Sequence, residues 1–110
     1  MAKGLIIRKE WLDKILNDGK HWEMRATHTN QRGLIKLIEA GSGLIMGECM
    51  IAGSHEVTEE LAKQSFNAHQ VSDYNLLKKW RYAWRLCNVK KYEKPIPYKH
   101  PKGAVIWVKL

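Results

Sequence analysis

The chain has 110 residues, 45% of them hydrophobic and 27% charged, which is room for one domain over residues 1–110 and excludes disordered and collagen-like chains. No apolar run approaches the roughly 18 residues that cross a bilayer, and the apolar start at Leu5, Ile6 and Ile7 is too brief for a secretory signal, so a cytoplasmic protein without membrane contact is expected. The net charge of +8 is unevenly spread: residues 1–77 hold nine basic and ten acidic residues, whereas 78–110 hold ten basic residues against Glu93 alone, a balance that attracts polyanions such as phosphate backbones.

In chain order, residues 4–8 read as a first strand. Next comes a helix whose Trp11, Leu12, Ile15 and Leu16 form one apolar stripe, closed by Gly19, the residue that enters the left-handed region at least cost. Residues 21–25 look extended and 26–32 form a polar loop. Residues 33–38 and 43–52 read as a strand pair joined through Glu39-Ala40-Gly41-Ser42. In the second of these, Ile45, Gly47, Cys49 and Ile51 share one face and Met46, Glu48 and Met50 the other, so Glu48 must reach solvent or a partner.

Thr58 reads as the N-cap of a helix running to about Phe66, with Glu59 and Glu60 in its first turn. A polar stretch with His69 and a second helical piece over residues 74–79 follow. Residues 80–89 have strand composition, Pro95 and Pro97 are expected to break the chain, and residues 104–110 close it as a last strand with Ala104, Ile106 and Val108 on one side. Cys49 and Cys87 sit in apolar stretches without CxxC spacing and are expected to be buried, reduced thiols. Six or so strands and two or three helices predict an α+β, mainly β fold: a small curled or closed mixed sheet with helices at its ends. No dinucleotide or P-loop motif occurs, and the five histidines and two cysteines show no zinc spacing, so neither metal nor cofactor is expected.

The chemistry concentrates in Gly19-Lys20-His21-Trp22-Glu23-Met24-Arg25. If 21–25 is a strand, His21, Glu23 and Arg25 point one way and Trp22 and Met24 the other, with Lys20 free to join either set. Arg25 offers a planar fork of donors to a phosphate or base edge, or a structural ion pair to Glu23 or Glu48. Lys20 suits stabilisation of an anion better than proton abstraction, because its ordinary pKa of about 10.4 would have to fall several units. Glu23 is the carboxylate placed to act as a general base, or to pair with Arg25. Trp22 offers a face on which a base could stack, and Tyr82 and Trp84 with Arg81 and Arg85 between them give the aromatic-basic interleaving of single-strand binding surfaces. His55 and His69, which flank the second helix, suit an acid-base pair or neutral donors to a nucleobase.

These residues resemble a known family. Lys9-Glu10-Trp11-Leu12 with Ile15-Leu16, followed by the Gly19–Arg25 segment, is similar to the signature of ASCH domains; Gly47-Glu48, Tyr82-Ala83-Trp84, Pro95, Pro97 and Trp107 fit its small bacterial and phage members. The resemblance implies a PUA-like β-barrel of about six strands and a role with RNA. It also implies a cleft into which Lys20 and Arg25 project. Some members resemble ribonucleases, and one branch hydrolyses N4-acetylcytidine with a Lys, Thr and Glu set. Here Glu23 stands at the threonine's place, and no acidic residue over 67–69 matches the glutamate. The expectation is a monomeric domain that binds RNA, another single strand or a modified nucleoside through Lys20, Trp22, Arg25, Tyr82, Arg81, Arg85 and His69. The alternatives are a metal-independent ribonuclease or amidohydrolase using Lys20 and Glu23, and an adaptor docking an acidic protein.

Overall fold

The computed structural model describes residues 3–110. The chain runs β1 (Lys3–Ile7), α1 (Lys9–Asn17), β2 (Trp22–Arg25), β3 (Gly33–Glu39), β4 (Leu44–Glu56), α2 (Glu59–Gln64), α3 (Phe66–His69), α4 (Tyr74–Lys79), β5 (Tyr82–Pro97) and β6 (Trp107–Lys109). The six strands form one mixed sheet in the order β2-β5-β4-β3-β1-β6, curled into a half-barrel. β1 lies parallel to β3, and every other pairing is antiparallel.

The apolar stripe of α1 explains where that helix goes: Leu12 and Ile15 are buried and close the concave face of the sheet against Leu5, Ile35, Leu37, Cys49, Ile51 and Trp84. The alternation in β4 has the expected sense, with Ile45, Gly47, Cys49 and Ile51 buried. On its other face Glu48 accepts hydrogen bonds from Lys36 Nζ (3.0 Å) and Tyr92 OH (2.6 Å). Gly47 is needed where β5 crosses, because a Cβ there would lie 2.4 Å from the Lys90 carbonyl oxygen. A second core, of Met24, Val57, Ala62, Val71, Leu77 and Ala83, glues the helices α2–α4 to the outside of β2 and β5. Thr58 caps α2 by accepting from the Leu61 N–H (3.1 Å), and Asp73 caps α4 by accepting from Asn75 N–H (2.9 Å).

Several expectations need correction. Pro95 and Pro97 do not break the chain: β5 continues to Pro97. β2 covers only residues 82–85, so beyond Leu86 one side of β5 has no neighbouring strand and a missing N–H there costs no ladder bond. β5 begins at Tyr82, and Trp80 is instead the C-cap of α4. The second helix stops at Gln64, and a separate short α3 follows Ser65, giving four helices. The last strand is only Trp107–Lys109, because residues 100–104 are held in a turn by Ala104 N–H to the Pro101 carbonyl (3.2 Å) and the His100 ring on the Ala104 carbonyl (2.9 Å). Ile106 is accordingly exposed while Val108 is buried. Cys49 is buried, its thiol pushed up to about 12 by desolvation, but Cys87 is exposed on β5.

Candidate functional site

The corner between α1 and β2 is shaped by one glycine. Gly19 has φ +76°, and the next N–H, of Lys20, folds back to the Lys14 carbonyl (3.1 Å), so the chain reverses and carries Lys20 inward. The turn is then tied to two other elements, by His21 N–H on the Ala68 carbonyl (3.0 Å) and Leu86 N–H on the His21 carbonyl (2.7 Å). Lys20 ends up 1% exposed, its ammonium donating to the His69 carbonyl and lying 5.3 Å from the centre of the Trp11 ring. Burial pulls its pKa down to about 8; nearby Glu23 opposes the shift, and Lys14 and Arg25 add to it.

From β2, Glu23 and Arg25 face the same way, as alternation requires. Arg25 donates through Nε (3.1 Å) and Nη2 (2.9 Å) to one oxygen of Glu23, and through Nη2 to the Ile6 carbonyl (3.0 Å). Its guanidinium lies 5.4 Å from the Trp84 ring. The structural reading of Arg25 holds, since it is paired with Glu23 and not Glu48, and its side chain also lines the cleft. Lys20, Glu23 and Arg25 converge on a cleft of about 260 Å³. Arg8, Trp11 and Trp80 also line it, with Val71 and Val105 as apolar flanks. Glu23 is paired with Arg25, and Lys20 and Arg8 are the other basic residues that line the cleft. The indole N–H of Trp11 is buried without an acceptor.

A family model, that of the ASCH domain, matches residues 5–96. The chain belongs to the ASCH domain family. Among solved structures, ASCH from Zymomonas mobilis matches with a TM-score of 0.74 at 12% identity, covering 99% of this chain and 87% of that one. Two point mutants of that protein match at 0.72 and 0.71, again at 12% identity and over 99% of this chain, with 89% and 87% of theirs covered. That likeness establishes the PUA-like fold. A sequence comparison with curated proteins finds no match.

In this ASCH domain the remaining sequence-predicted residues lie elsewhere. Trp22 and Arg85 sit directly opposite each other on the outer face of the β2–β5 ladder. There the Trp22 ring meets His55 edge-on at 4.7 Å, and Arg85 Nη1 lies 2.8 Å from His55 Nδ1. Tyr82 packs on His28 at 4.2 Å. Arg81 is exposed beside α2 and α4. His69, expected at a nucleobase, is fully buried: its Nδ1 accepts from the Val71 N–H (2.9 Å) and its Nε2–H donates to the Ala62 carbonyl (2.7 Å). Those two bonds fix the neutral tautomer, and burial lowers the pKa against the opposing effect of the Ala62 bond. Its part in the site is to hold Lys20 with its main-chain oxygen.

The sequence reading missed Arg8, Trp11 and Trp80. Arg8 looked like the end of a strand and Trp11 like one more core residue; only the reach of Arg25 across the open side of the half-barrel to the Ile6 carbonyl shows that both border a hollow. Among the described residues no three His, Cys, Asp or Glu side chains are grouped to hold a metal ion, and no helix is long and apolar enough to cross a membrane.

Proposed function

We propose that this ASCH domain binds RNA or a modified nucleoside, with one base or its phosphate seated in the cleft between Lys20, Arg25 and Arg8. The observation that carries this reading is the convergence of those cations with the Trp11 and Trp80 rings in one hollow. Aromatic walls stack a base, a guanidinium reads its edge or its phosphate, and a low-dielectric wall strengthens each charge. Nucleic-acid binding is also what membership of the family suggests in general. The basic residues of β5, among them Lys90, Lys91 and Lys94, supply a field for the flanking backbone. Titrating the protein with single-stranded RNA and with nucleosides across a salt series tests this. Affinity is expected to fall steeply with salt and to weaken in Arg8→Ala, whose side chain is exposed. Full affinity in that variant and in Lys20→Met would overturn it.

A second reading is favoured by the lowered pKa of Lys20. At about 8 a share of the amine is neutral in mildly alkaline solution, the form in which Lys20 would act as a base in this reading. It would take a proton from water or a ribose hydroxyl whose oxygen attacks an acyl or phosphoryl centre; the departing amine or alkoxide recovers a proton, and Arg25 stabilises the developing anion. Incubation with N4-acylcytidine or single-stranded RNA in the presence of EDTA, followed by product analysis, separates hydrolysis from binding.

A further inference from the structure

A second hollow, of about 240 Å³, opens between α2 and α4. Its apolar lining is Val57, Ala62 and Leu77, and one wall is Trp80, the same indole that borders the cationic cleft. Trp80 is therefore a partition between two cavities, braced edge-on against Trp11 at 5.8 Å and 87°. Tyr74, 45% exposed, also lines the hollow. Three cations stand around it, Lys63, Lys78 and Arg81, and the single carboxylate, Glu59, lies 3.7 Å from Lys63. Among the described residues Lys78 and Arg81 make no ion pair.

An apolar slot with two aromatic rings and two free cations fits a flat ring system attached to an anion. Its volume is below the roughly 300–1,000 Å³ of sites for drug-sized ligands, which limits the occupant to about one ring system. Two ligands on either side of one indole must also be near neighbours. We propose that this hollow holds the nucleobase next to the one in the cleft, with Arg81 and Lys78 on the phosphate that joins them. The inference rests on the nucleotide reading given above and extends it from a single base to a two-base step. It explains why the excess positive charge of the chain begins at Lys78, before β5 does.

The test uses the whole protein, the four ribonucleoside 5′-monophosphates and the sixteen ribodinucleotides, with affinities measured by calorimetry. The best dinucleotide is expected to bind about tenfold more tightly than the best monophosphate, the increment of one additional stacked base. Asn75→Trp, which fills the mouth from an exposed position, should remove that increment and leave monophosphate affinity unchanged, which also shows that this variant is folded; Arg81→Glu should remove the increment as well. Equal affinity for monophosphates and dinucleotides, or an increment that both variants retain, would overturn the inference and leave the cleft reading standing. Binding of neither ligand class would overturn both.

Discussion

The corner from Lys20 to Arg25 and the long strand β5 are both basic, yet they hold charge in opposite ways. At the corner every ion has a fixed partner: Lys20 on the His69 carbonyl, Arg25 on Glu23 and on Ile6. Along β5, Lys90 and Lys94 are exposed and make no ion pair among the described residues. Fixed charges can select a ligand by geometry, whereas free ones contribute a field that salt screens. The comparison predicts that damage to the two regions will have different signatures.

The largest effect is expected from Lys20→Met. It should abolish cleft binding while leaving thermal stability equal or higher, because a buried ammonium costs desolvation and a methionine of similar length fills the same space. The pH dependence sharpens this. The folded-state pKa of about 8 lies below the ordinary 10.5, so the cost of burying the charge is fully present below pH 8 and is relieved as pH rises towards 10.5. Wild-type stability should therefore gain on that of Lys20→Met across this window, by up to about 3 kcal/mol in denaturant melts. Anion binding should fall over the same rise through pH 8, whereas hydrolysis with Lys20 as base should climb; the sign of the pH profile decides between the two functional readings.

Next in size is Glu23→Gln, which strips Arg25 of its carboxylate in a largely buried setting and should cost about 2 kcal/mol by chemical denaturation. Smaller still is Lys90→Ala with Lys94→Ala. The double variant should lose affinity mainly at low salt and little at high salt, its log K against log salt flattening by about 0.7 for each phosphate contact removed. Unchanged slopes would remove β5 from the binding surface. The smallest effect is expected from Trp11→Phe, which eliminates the orphaned indole N–H and should change the melting temperature by only a few degrees, while a larger drop in ligand affinity would show that this donor serves the ligand.

Much of the framework was legible because its signals are local. The α1 stripe, the Gly19 turn, the alternation of β4 and the Thr58 cap each follow from residues within a few positions of one another. The convergence of Glu23 with Arg25 was legible too, from strand alternation alone. What escaped depends on distant neighbours. Whether prolines at 95 and 97 end a strand is decided by how short β2 is. The burial of Lys20 and of His69 depends on α3 docking beside β2, a contact across 49 residues that no local pattern announces.

The bond from Arg25 to the Ile6 carbonyl joins β2, at one end of the sheet order, to β1, next to its other end. The same guanidinium thus acts as a clasp on the open side of the half-barrel and, in the function proposed above, would also meet the ligand in the cleft. A ligand that draws Arg25 fully to itself must undo the clasp, so tight occupancy and a firmly shut seam compete. Hydrogen exchange at the Ile6 and Ile7 amides is where that competition would register.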